Sequence, residues 1–197
     1  MTQFYDLPSQ LQELLIMLPF RVGYYVSASD QTGGEEAEAQ ELEALSNIVT
    51  YYIEDALKSE IAQQAMTEML GRRKYWDKWR EHIDQVPTQC EKLFEELGAY
   101  LDDKDLIGFK NNLIDIAIAV AQAYCEDEHG AASEVRETSI AALLKRIGQA
   151  IFPQAIFPQA IFSGEPQSEQ TISYNISAAE REAILKLADA LQIEVAI

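Results

Sequence analysis

Ile114-Asp-Ile-Ala-Ile-Ala-Val-Ala-Gln-Ala-Tyr-Cys-Glu126 is the stretch that decides the fold class. With the residues before it, apolar side chains recur at Leu106, Phe109, Leu113, Ala117, Val120 and Tyr124, in steps of three and four. That period places them on one stripe of an α-helix. From Ile114 to Ala123 the sequence is apolar nearly all round, with Asp115 and Gln122 as exceptions. A helix apolar on every side has to be surrounded by other elements. This segment is therefore predicted to be the central buried helix, with Ile116, Ala117, Val120 and Ala121 inaccessible to water.

Beyond it lies Asp127-Glu-His-Gly-Ala-Ala-Ser-Glu134, an acidic loop that contains glycine. The same succession stands near the start of the chain. Pro19-Phe-Arg-Val-Gly-Tyr-Tyr-Val-Ser-Ala-Ser-Asp30 runs into Gln31-Thr-Gly-Gly-Glu-Glu-Ala-Glu38. In each copy a carboxylate at the helix end is followed by another eight residues on, Asp30 with Glu38 and Glu126 with Glu134. Duplicated helix-loop-helix units that concentrate negative charge in their loops explain this pattern.

The remaining segments also carry helical period. Ser9 to Ser27 reads as a helix kinked at Pro19, where the ring removes a backbone hydrogen bond. Residues 35–57 read as a second helix, with Leu42, Leu45, Val49, Tyr52 and Ala56 inward and most of the eight carboxylates between Asp30 and Asp55 on the other face. Ile61 to Leu70 forms a short helix closed by Gly71. Thr88-Gln-Cys-Glu91 has the form of a capping box and opens a helix to about Leu101; Ser177-Ala-Ala-Glu180 opens a last one to about Leu191, with Ile184, Leu187 and Leu191 inward. A further helix spans 133–150. Residues 151–162 repeat Ile-Phe-Pro-Gln-Ala, and their prolines preclude a regular helix. No run of strands is evident. The expectation is an all-α bundle of seven to nine helices with an internal pseudo-repeat. It forms a single domain over 1–197: a first unit 1–71, a basic-aromatic connector 72–87, a second unit 88–150, a Pro-containing loop 151–176 and a terminal helix 177–197.

Composition limits the function classes. The chain has 197 residues, 48% of them hydrophobic, which is enough for a core. Its 33 acidic and 15 basic residues give a formal charge of −18, which repels a phosphate backbone and disfavours nucleic acid as a partner. Cys90 and Cys125 fit no zinc spacing and read as free thiols of a reducing compartment. Leu14 to Val26 is interrupted by Pro19 and Arg21 and is too short to span a bilayer, and no signal peptide is visible, so a cytoplasmic location is expected.

Four constellations carry possible chemistry. Asp30, Glu35 and Glu38, and likewise Glu126, Asp127, Glu128 and Glu134, offer several oxygens to calcium or magnesium; neither loop has the EF-hand pattern. The bland alternative is that Glu35, Glu36 and Glu38 sit in a first helical turn and favour its dipole. His129 lies among carboxylates, where a transition metal could use its imidazole; the alternative is that His82 and His129 are surface groups, and no Glu-x-x-His motif marks a di-metal centre. Arg72-Arg-Lys-Tyr-Trp-Asp-Lys-Trp-Arg80 holds five of the fifteen bases and both tryptophans. It is expected to anchor a helix internally, with stacking on an anionic ligand as the alternative. No nucleophile elbow, Walker loop or dinucleotide fingerprint is present, and the two cysteines have no evident histidine partner, so the balance leans against an enzyme.

Residues 114–134, followed by an amphipathic helix, resemble the TerB-like tellurite-resistance family, in which an apolar helix ends in an Ala-Asp-Gly-like loop and a serine or proline with a glutamate opens the next helix. Tyr24 to Glu38 is similar to that motif in a looser form, and Ile176 to Glu180 to its helix-opening half. Glu126-Asp-Glu-His stands where Ala-Asp-Gly belongs. The resemblance implies an all-helical, pseudo-symmetric fold with an acidic surface that binds divalent cations, related to domains at the front of some DnaJ-like co-chaperones. The expectation is a non-enzymatic accessory protein of the stress-response type. It acts on a protein partner, with a homodimer as one form. The alternatives are a helical carboxylate-based enzyme, or an assembly protein that docks through the Ile-Phe-Pro-Gln-Ala repeat.

Overall fold

A computed structural model of the chain describes residues 3–29, 45–50, 59–123 and 176–195. All of these belong to one compact unit, Met1–Cys125 with Ile176–Ile197; a second unit, Glu126–Asn175, lies outside the described residues. Seven α-helices and no strand are found among the described residues. They are α1 (Ser9–Ser27), α2 (45–50), α3 (Glu60–Gly71), α4 (Trp76–Trp79), α5 (Val86–Leu97), α6 (Asp103–Ala123) and α7 (Ala178–Leu191). A one-turn 3-10 helix at Phe4–Asp6 precedes α1, and two more, at Arg73–Tyr75 and Ile83–Gln85, lie between α3 and α4 and between α4 and α5. No helix is long and apolar enough to cross a membrane among the described residues.

The helix ends follow local chemistry. Asp102 Oδ1 accepts from the Asp105 amide at 2.9 Å and opens α6. Ser59 caps α3 by accepting from the Ala62 amide. The Ser177–Glu180 capping box has both halves in place, at 3.2 and 2.9 Å, so two of the orphan amides of α7 are satisfied reciprocally. The helix expected to open at Thr88 begins instead at Val86, with Gln85 as its N-cap and Pro87 in its first turn. Proline lacks only a donor that the first turn leaves unused, so Pro87 starts the helix and Thr88 falls inside it. That helix also ends at Leu97 rather than Leu101, because the amides of Gly98 to Tyr100 turn back onto the Phe94, Glu96 and Leu97 carbonyls. Helix α1 runs through Pro19 without ending.

Helices α1 and α6 form the most extensive helix pair, and α3, α5 and α7 pack around them. Ile116, Ala117, Val120 and Ala121 are at most 1% exposed, as the all-round apolar pattern requires. Ile184, Leu187 and Leu191 close the bundle from α7, and Phe94 meets Phe109 at 5.8 Å between ring centroids. At Gly23 a Cβ would stand 2.5 Å from Leu45 Cδ1, so the missing side chain is what lets α2 approach α1.

Candidate functional site

Each proposed cation ligand, Asp30, Glu35, Glu38, Glu126, Asp127 and Glu134, lies outside the described residues, as do Glu128, His129, Cys125 and the repeat at 151–162. Among the described residues no group of three or more His, Cys, Asp or Glu side chains is placed to hold a metal. His82 is exposed and takes a left-handed backbone, φ 54°. The functional groups whose geometry is described are three: the basic-aromatic segment, the thiol of Cys90, and the polar residues buried in α1 and α6.

The segment from Arg72 to Arg80 is folded onto α1. Trp76 and Trp79 are buried, with their ring centroids 4.8 and 5.9 Å from that of Phe20, and the Trp76 indole donates to the Met69 carbonyl. Its cations are used nearby. Arg72 pairs with Glu68 at 3.2 Å, Arg73 donates to the Ser46 hydroxyl and lies 5.5 Å from the Trp76 ring centroid, and Arg80 pairs with Asp77 and lies 5.0 Å over Tyr24. The tryptophans therefore present their rings to the core rather than to a ligand, as the internal reading expects.

Arg21 holds this segment from the other side. Although it lies in the apolar body of α1, it is only 6% exposed. Nη1 donates to the Trp79 and Glu81 carbonyls and Nη2 to the His82 carbonyl, the last two at 2.9 Å. One planar fork thus satisfies three carbonyls of the chain leaving α4 and fixes the turn that carries the left-handed His82. Burial lowers the pKa of the guanidinium, and the neighbouring Cys90 and Asp84 oppose that shift. Cys90 is fully buried on α5, and burial pushes its thiol up to about 12, so it is a core residue and not a nucleophile.

Asp115 and Gln122 are each 8% exposed on α6. The only other carboxylate buried among the described residues, Glu180, is spent in its capping box. Asp115 has no hydrogen-bonding or ion-pair partner among the described residues, and burial raises its carboxyl to about 7. Sequence reading found Asp115 only as an interruption of an apolar run, and Arg21 only as a break in another. In both cases the signal was there: a lone charge inside an all-apolar helix has either a buried partner or a shifted pKa. Comparison with family models, characterised proteins and solved structures finds no match for this chain.

Proposed function

We propose that the protein is a non-enzymatic helical accessory module of the TerB-like kind, which acts by binding and takes a divalent cation, calcium or magnesium, at the acidic loops that follow α1 and α6. The observation that carries this reading is the pairing of α1 with α6. These are the two helices that lead into the duplicated acidic segments, and they form the centre of one bundle. The formal charge of −18 favours a cation or a basic protein surface as the partner, and the location best suited to two free thiols is the cytoplasm.

The test is thermal unfolding with and without 5 mM calcium. A ligand bound only to the folded state raises the melting temperature by mass action. Asp127→Asn with Glu134→Gln is expected to remove most of that rise. Glu91→Gln with Glu95→Gln, which changes two exposed carboxylates of α5, is expected to leave it. Equal losses in the two double variants would reduce the effect to general charge screening and end the proposal.

A further inference from the structure

Helix α6 carries a polar stripe on the side away from Leu113, Ala117 and Val120. Gly108, Asn111, Asp115 and Gln122 follow each other at intervals of three, four and seven residues, and Asn112 lies beside them. The stripe passes from half-buried at Asn111 and Asn112 to buried at Asp115. At its start a Cβ on Gly108 would lie 4.0 Å from Ser59 Cβ, so this side of α6 faces the beginning of α3. The residues flanking Asp115 along the chain, Ile114 and Ile116, are at most 4% exposed. Neither Asn111, Asn112 nor Asp115 makes a side-chain hydrogen bond among the described residues.

We propose that Asp115 is a proton-operated stability switch in the central helix: protonated, it is accommodated within the bundle, and ionised, it destabilises the bundle. A carboxylate buried without a partner must acquire a proton, acquire a cation, or become hydrated. Among the described residues, the elements packed against α6 supply no cation for it; on α5, whose Phe94 meets Phe109, Glu91, Lys92, Glu95 and Glu96 are all exposed. On α1, Arg21 is engaged with the carbonyls of residues 79–82, Glu13 is exposed, and Tyr24 and Tyr25 carry no positive charge. On α3, Glu60 is exposed and Glu68 pairs with Arg72. On α7, Glu182 pairs with Lys186 at 2.8 Å at the surface, Arg181 and Asp189 are exposed, and Glu180 is in its capping box. Lys110 of α6 itself lies over the Phe94 ring at 5.4 Å. Burial is accordingly the sole cause that acts on the Asp115 carboxyl.

The direction follows from linkage. The folded-state carboxyl titrates near 7, against an ordinary value of 3.8. Between those values the folded chain holds a proton that the unfolded chain has lost. Stability contributed by that proton is complete below about pH 4 and is lost as pH rises toward 7, with no further change above. Asp115→Asn keeps the shape and abolishes the titration. Melting temperature is measured for both proteins from pH 5 to pH 8 in a calcium-free buffer, and again at pH 8 with 5 mM calcium. The parent is expected to fall behind the variant steadily as pH rises, and calcium is expected to act on both alike. Parallel pH profiles would overturn the proposal. A calcium-dependent recovery in the parent alone would also overturn it, by making Asp115 a metal ligand. Carboxyl carbon NMR of the parent reads the same group without a mutation, so a variant that fails to fold leaves the question decidable. A midpoint near neutrality supports the switch, and one below pH 5 refutes it.

Discussion

Arg21 shows what a single residue does in this fold. Its three carbonyl partners belong to the stretch from Trp79 to His82 that leaves α4, so one guanidinium ties that stretch to α1. Charge-assisted hydrogen bonds of this kind outweigh neutral ones, although the cost of burying the cation offsets part of the gain. Arg21→Ala is expected to lower the unfolding free energy by about 2–4 kcal/mol in urea titration, and Arg21→Lys by at least half as much, because an ammonium cannot span three carbonyls. A lysine variant as stable as the parent would mean that the fork geometry is irrelevant. Cys90 supplies a second test at this scale. In a Cys125→Ser background the native protein is expected to resist a thiol reagent at pH 8 and to react fully once unfolded, since its thiolate is inaccessible and disfavoured. Rapid reaction of the folded protein would place Cys90 at the surface. Neither role was legible in the sequence. A charge or thiol within an apolar run is visible there, but its partners come from residues about sixty positions away.

At the scale of the element, legibility depended on whether the signal was local. The Ser177 capping box and the span of α1 are set by a few adjacent residues, and both stand as the sequence predicts. Thr88-x-x-Glu91 had the same form and misled, because Pro87 had already set the helix start one turn earlier. The approach of α2 to α1 could not have been read at all, since it depends on Gly23 meeting Leu45. It predicts a measurable coupling. Gly23→Ala gains about 1 kcal/mol of helix propensity but forces a methyl group against a fully buried leucine, which costs about 1–3 kcal/mol. A net loss of stability is expected, and it should shrink or reverse in a Leu45→Ala background. Equal effects in both backgrounds would show that the two helices do not touch there.

For the whole molecule, the decisive feature is that the half of α6 from Ile114 to Gln122, apolar but for Asp115 and Gln122, is buried within the bundle. Periodicity made that helix and its buried face legible from the sequence, because an apolar surface on every side leaves few alternatives. The candidate cation ligands were legible only as a cluster of charge. Whether such carboxylates converge on one point depends on loop geometry that composition does not encode, and they lie outside the described residues. Placing a carboxylate at the opposite face of α6 tests the packing by force. Val120→Asp is expected to cost several kcal/mol or abolish folding, in contrast to Asp115→Asn. The most direct test leaves the protein unaltered. Amide hydrogen exchange, followed by mass spectrometry, should find residues 113–121 of α6 among the slowest in the chain, opening only with global unfolding, while the turn at 98–102 exchanges early. Exchange of 113–121 at the rate of that turn would contradict the assignment of α6 as the central helix and, with it, the account of the bundle.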